Sequence, residues 1–134
     1  MEVTDLYFEG TRLRLRRMVD VAGDRPPVYK LTQKVPGSDH RRLTTNTYLS
    51  ETEYRLLAQL EGRRLTKMRY SVPPFGIDVF RPPLEGLVLA EMEYESDEAM
   101  AAGTAPAGAV EEVTGDVRYT GGHLAEFGID PRSG

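Results

Sequence analysis

The chain holds 134 residues, 40% hydrophobic and 28% charged, which is one domain's worth of sequence and lies inside the globular range. No stretch approaches the ~20 apolar residues that span a bilayer, and there is no cysteine, so disulfides, thiolate metal sites and a cysteine nucleophile are excluded. The net charge of −4 is unevenly spread: residues 1–81 hold 15 of the 17 Lys+Arg and 10 of the 21 Asp+Glu, a local +5, and the remainder carries −9.

Along the chain, strand signals dominate. Met1 to Asp5 lacks the basic start and apolar core of a secretion signal, so a cytoplasmic location is expected. Thr4 to Phe8 is a short β-prone run, and Glu9-Gly10 reads as a turn. Thr11 to Met18 alternates with period 2, placing Arg12, Arg14 and Arg16 on one face and Leu13 and Leu15 on the other. After a Gly/Asp/Pro loop, Val28 to Val35 sets Lys30, Thr32 and Lys34 against Tyr29, Leu31 and Val35. Pro36 to Arg42 is polar loop, and Leu43 to Leu49 is a Thr-rich strand. Ser50-Glu51-Thr52-Glu53 has the spacing of a capping box, followed by Tyr54, Leu56, Leu57 and Leu60 at helical spacing with Gly62 as a stop. Arg64 to Val72 alternates again, with Lys67 and Arg69 on one face. Pro73-Pro74 forces a turn into Phe75 to Arg81, which carries Asp78. Leu87 to Glu95 is the cleanest strand, with Glu91, Glu93 and Glu95 sharing a face. Asp97 to Ala102 reads as a helical turn, Gly103 to Ala109 as a small-residue linker, and Gly122 to Phe127 as a short helix.

Four strands therefore carry like charges on one face and apolar residues on the other. An ordinary antiparallel sheet with its charged face in water would show that pattern. Two features point elsewhere. The signs are sorted, positive around Arg14, Lys34 and Arg69 and negative around Glu93, and three co-facial arginines repel one another unless an anion offsets them. Arginine also outnumbers lysine 14 to 3, and its planar fork grips phosphate oxygens bidentately. If the sheet rolls into a barrel with charges inward and helices over its apolar outer faces, the interior becomes a polar tunnel. Phosphates would sit on its basic wall, and Glu91 and Glu93 could hold Mg²⁺ or Mn²⁺ against them. Nucleic acid is a poor fit to a net acidic chain without a basic patch interleaved with aromatics.

Six segments, in this order, carry a resemblance: Arg12-Leu13-Arg14-Leu15-Arg16-Arg17, Leu31-Thr32-Gln33-Lys34, Lys67-Met68-Arg69-Tyr70, Ile77-Asp78-Val79-Phe80, Gly86 to Tyr94, and Val113 to Tyr119. From Asp5 to about Phe127 the chain resembles the CYTH superfamily. These are the triphosphate tunnel metalloenzymes, which include class IV adenylate cyclases, thiamine triphosphatases and inorganic triphosphatases. The resemblance implies one mainly β (α+β) domain over residues 1–134, an antiparallel β-barrel tunnel with a few helices packed outside, binding a triphosphate with Mg²⁺ or Mn²⁺. Arg12 and Arg14 look like the family's phosphate-binding arginines, with Arg16 expected to join them as the third co-facial arginine of a phosphate cradle, and Lys34, Lys67 and Arg69 like its further cationic contacts. Glu91 and Glu93 resemble the late metal-binding pair, and Asp78 the acidic residue of the preceding strand, with a structural or metal-related role. Arg118 with Tyr119 resembles the C-terminal motif that closes on the ligand.

Two departures accompany it. The family's N-terminal Glu-x-Glu-x-Lys strand is not found upstream of Leu6-Tyr7-Phe8, so the domain reads as N-terminally shortened. Thr120-Gly121-Gly122 stands where an asparagine often follows the Arg-Tyr pair, so that loop is expected to be shaped differently. Two functions of different class follow: a metal-dependent triphosphatase or cyclase-like enzyme, or a non-catalytic phosphate- or nucleotide-binding module that has lost the first strand. An open seam would leave an unpaired strand edge of the kind proteins cover, making a homodimer a further expectation.

Overall fold

The computed structural model describes residues 1–37, 42–92, 113 and 116–128. Strands β1 (Glu2–Tyr7), β2 (Leu13–Val19), β3 (Val28–Pro36) and β4 (Arg42–Leu49) precede helix α1 (Glu51–Leu57). Strands β5 (Arg63–Val72), β6 (Phe75–Phe80) and β7 (Val88–Glu91) follow, then a 3₁₀ turn at Val117–Tyr119 and helix α2 (Gly121–Phe127). The seven strands form one antiparallel sheet in the order β4-β3-β2-β1-β5-β6-β7. Among the described residues β4 and β7 are its edges. Glu93 and Glu95, the turn expected at Asp97 to Ala102 and the linker to Ala109 lie outside the described residues.

The local signals act as their chemistry demands. Gly10 takes φ 72° in the β1–β2 turn, a left-handed value that a side chain disfavours. At α1 the capping box forms: the Glu53 amide donates to Ser50 Oγ (3.1 Å), and the Ser50 amide donates to Glu53 Oε1 (2.8 Å). The helix ends at Leu57, before Gly62, whose role is different. A β-carbon at Gly62 would stand 2.5 Å from the Tyr7 carbonyl oxygen and 2.8 Å from Leu6 Cδ1, so glycine there permits close approach to β1.

Register sorts the side chains onto two faces. Cross-strand partners Asp5 and Arg16, Arg16 and Lys30, Arg14 and Thr32, Lys67 and Phe80, and Arg69 and Asp78 all share one face. The opposite face carries Leu6, Leu15, Leu31, Met68, Ile77 and Val79. Leu6 and Leu15 are fully buried there, each worth roughly 1.5–3 kcal/mol of transfer free energy. Helix α1 packs on this apolar side, its Tyr54 ring 4.9 Å from that of Tyr29. Helix α2 is placed otherwise: Leu124 joins Leu65, Phe80 and Leu84 in a buried cluster bordered by Tyr7 and Leu89, all at one end of the charged face. An apolar plug therefore closes off that end, and the charges occupy the rest.

Candidate functional site

Arg14, Arg16, Lys30, Lys34, Lys67 and Arg69 lie on one sheet face, as does Arg63 opposite Tyr7, and the carboxylates of Asp5, Asp78 and Glu91 lie among them. Alternation within each strand supplies the spacing, and the position of β1 between β2 and β5 brings the two basic groups side by side. Two buried carboxylates organise them. Asp5, 0% exposed, accepts from Arg16 Nε at 2.6 Å and Nη2 at 2.8 Å. Asp78, 1% exposed, accepts from Arg69 Nε at 2.8 Å and Nη2 at 3.0 Å, and lies 2.8 Å from Lys67 Nζ. Fork-on-carboxylate geometry of this kind fixes a guanidinium in both position and plane.

Arg14 is different. Its Nη2 donates to Thr32 Oγ1 at 3.2 Å, and Thr32 in turn donates to Asn46 Oδ1 at 2.7 Å. Its Nε stands 3.9 Å from Asp5 and is a buried donor with no hydrogen-bond partner among the described residues. A buried unsatisfied donor on a cation is costly, and an anion laid on this face would relieve it.

The titration behaviour shows the same imbalance. Burial, reinforced by Arg16, lowers the pKa of Arg14. Burial and then Arg16 and Arg14 lower that of Lys30. Lys67 is also lowered by burial, despite its bond to Asp78. Burial would raise the Asp78 carboxyl, but the bonds from Arg69 and Lys67 outweigh it and hold it below its usual 3.8. The Tyr7 hydroxyl is pushed up to about 12, chiefly by burial and then by Asp5. Arg69 runs the other way, its bonds to Asp78 raising its pKa against the effect of burial, so the cations least matched by negative charge are those around Arg14 and Lys30.

The expected site residues divide. Arg14, Arg16, Lys34, Lys67, Arg69, Asp78 and Glu91 share the face, Lys34 lying exposed towards its β4 side. Arg12 is exposed ahead of β2 and outside any strand. Arg118 sits on the 3₁₀ turn with its guanidinium forked on Asp116, at 2.5 Å through Nη2, and over the Tyr119 ring. Glu93 lies outside the described residues. Asp78 is placed unlike a metal ligand, because both its oxygens already accept from cations. Glu91 borders an open hollow of about 230 Å³ together with Arg69 and Gly76. Among the described residues no three His, Asp or Glu side chains converge as a metal cluster.

Sequence reasoning missed Asp5, Tyr7 and Lys30. Lys30 was visible in the alternation with Lys34, whereas Asp5 and Tyr7 gain meaning only through pairing with Arg16 and Arg14.

No family profile matches the chain. It is 37% identical over 103 residues to the inorganic triphosphatase of Nitrosomonas europaea, an alignment spanning 72% of this chain and 68% of that protein. Its fold is similar to the crystal structure of the inorganic triphosphatase NE1496, with a TM-score of 0.55 and 26% identity over 92% of this chain and 81% of that one. A second structure, of the hypothetical protein NE1496, aligns with the same score over 83% of its length. Identity at this level over most of both chains, joined to a seven-stranded sheet with one cationic face, places the chain in the CYTH superfamily of triphosphate tunnel metalloenzymes.

Proposed function

We propose that this protein binds inorganic triphosphate along the cationic face and hydrolyses it to phosphate and pyrophosphate. The observation that carries the reading is Arg14: a buried guanidinium of lowered pKa whose Nε lacks a partner among the described residues, set among further cations of the same face. An extended polyanion answers all of them at once, through charge-assisted hydrogen bonds. The name of the Nitrosomonas relative selects inorganic triphosphate from the substrates of the superfamily.

Hydrolysis asks little covalent chemistry of the protein. Water attacks the terminal phosphorus, the bond to the bridging oxygen breaks, and pyrophosphate leaves with the electron pair. Charge spreads over the phosphoryl oxygens in the transition state, and fixed cations stabilise it without reorganising. Arg16 and Arg69 are fixed by their carboxylates, and Arg14 by Thr32. A divalent ion would add Lewis-acid polarisation and a more acidic attacking water. Of the described carboxylates, Glu91 fits such an ion and Asp78 does not, so we propose that Glu91, with Glu93 two positions further along the chain, would hold Mg²⁺ or Mn²⁺.

The test is phosphate release from inorganic triphosphate with Mg²⁺ or Mn²⁺, alongside calorimetric binding. Wild type should bind and turn over, chelation by EDTA should abolish turnover, and Arg14→Ala should weaken binding about 10- to 100-fold. Binding without turnover under any metal would leave a phosphate-binding module and overturn the enzyme.

A further inference from the structure

The Arg14 guanidinium is held by a hydroxyl whose own proton must go elsewhere, and that proton leads to β4. Arg14, Thr32 and Asn46 stand in one row across β2, β3 and β4, on the charged face. A guanidinium can only donate, so Thr32 Oγ1 accepts from Arg14 Nη2 at 3.2 Å. Thr32 is 2% exposed, and a buried hydroxyl that leaves its single proton unpaired is costly. That proton goes to Asn46 Oδ1 at 2.7 Å. The polarity of the row is therefore fixed from Arg14 outward, and it sets the asparagine amide: oxygen towards Thr32, nitrogen away from it.

The two N–H groups of Asn46 Nδ2 have no hydrogen-bond partner among the described residues. They belong to an exposed residue on an edge strand, beside cations. Lys30 and Lys34 flank Thr32 on β3 and are the diagonal cross-strand neighbours of Asn46, a separation of roughly 7–8 Å in an antiparallel pair. The choice of residue points the same way. The rest of β4 is rich in threonine, which suits a strand, whereas asparagine does not. An aspartate at this position would also accept from Thr32, but its carboxylate would stand against Lys30 and Lys34 and offset their charge. Asparagine accepts at one end and presents two donors at the other, with no charge of its own.

We propose that Asn46 is a further anion-binding residue, whose Nδ2 donates to an oxygen of bound triphosphate beside Lys30 and Lys34 and so carries the site from Arg14 to the β4 edge. The proposal rests on the binding of triphosphate at this face. Arg14 and Asn46 then grip the anion from either side of Thr32, whose hydroxyl orients both.

Asn46 is the one asparagine of the sequence, so protein grown with ¹⁵N-asparagine shows a single side-chain amide pair. Inorganic triphosphate is to be titrated into it in EDTA and again with Mg²⁺, alongside calorimetry on wild type, Asn46→Ala and Asn46→Asp. One proton of the pair should move downfield and exchange more slowly with water, with its midpoint at the calorimetric Kd. Asn46→Ala should weaken affinity about tenfold, the value of one hydrogen bond to a charged group. Asn46→Asp keeps an acceptor for Thr32 but replaces the donors with a repelling charge, and should weaken affinity about 100-fold. The spectrum needs no variant, so it decides the matter if a substitution disturbs folding, and it separates a donor to the anion from a residue that only accepts from Thr32. An amide pair unmoved at saturation, or Asn46→Ala affinity within twofold of wild type, would overturn this inference alone. Failure of wild type to bind triphosphate under both conditions would overturn the functional reading, and this inference with it.

Discussion

Two carboxylates on the same face each serve two cations, and they do it differently. Asp78 is saturated: Lys67 and Arg69 both reach it within 3.0 Å, and Arg69 remains 30% exposed. Asp5 is occupied by Arg16 alone at hydrogen-bond distance, in full burial, while Arg14 is held back at 3.9 Å. The first cluster is electrostatically closed. The second keeps one guanidinium in reserve, and the difference locates the place where an external anion gains most.

The largest expected effect breaks that comparison at its buried end. Asp5→Asn strands Arg16 in a dry environment and should destabilise the fold by about 3–5 kcal/mol in urea titrations. Asp78→Asn should cost less, about 2–4 kcal/mol, because Arg69 can recover water. Equal losses would refute the distinction between the clusters.

Arg14→Ala sharpens it from the other side. Affinity for triphosphate should drop about 10- to 100-fold, the value of lost charge-assisted hydrogen bonds. The melting temperature in phosphate-free buffer should hold or rise, since the substitution removes a cation that Arg16 repels. Arg69→Ala, by contrast, should lose both affinity and stability, because Asp78 depends on it.

The pH dependence has two limbs of opposite sign. Asp78 ionises more readily folded than unfolded, so its stabilisation is complete above its ordinary 3.8 and is lost as pH falls through its lower folded value. Asp78→Asn should erase that acid limb. Lys30 is harder to keep protonated in the fold, by burial and then by Arg16 and Arg14, so the unliganded protein should gain stability as pH rises towards 10.5. Triphosphate should flatten that alkaline rise, and a rise that persists with ligand bound would place the anion away from Lys30. The smallest effect is expected at Ser50→Ala, which removes one half of the α1 capping box for about 1 kcal/mol and leaves triphosphate affinity untouched.

How much of this was legible in the sequence follows from the reach of periodicity. Period 2 places Arg14 beside Arg16 and Lys67 beside Arg69, because that requires only one strand at a time. The Ser50–Glu53 box is likewise local, and it forms. Which carboxylate meets which guanidinium depends on register between strands distant in the chain, so the pairing of Asp5 with Arg16 had no sequence signal. Asp78 was visible as an acid on a strand, yet its engagement by Lys67 and Arg69 needed the β5–β6 alignment. Helix α2 was read at nearly its true bounds, but its seat on the charged side depends on Leu124 meeting Leu65 and Phe80.

The strand order has a consequence for how the protein comes apart. Strands β1 to β4 follow one another as neighbours, as do β5 to β7, and the two runs meet where β1 lies along β5. That seam joins residues far apart in sequence, such as Met1 and Arg69, separated by 68 positions. Closing it carries the largest loop entropy among the described strand pairings. Asp5, Arg14 and Arg16 stand on one side of the seam, and Lys67, Arg69 and Asp78 on the other. A polyanion spanning both would tie the two runs of strands together and add its binding free energy to the stability of the folded sheet.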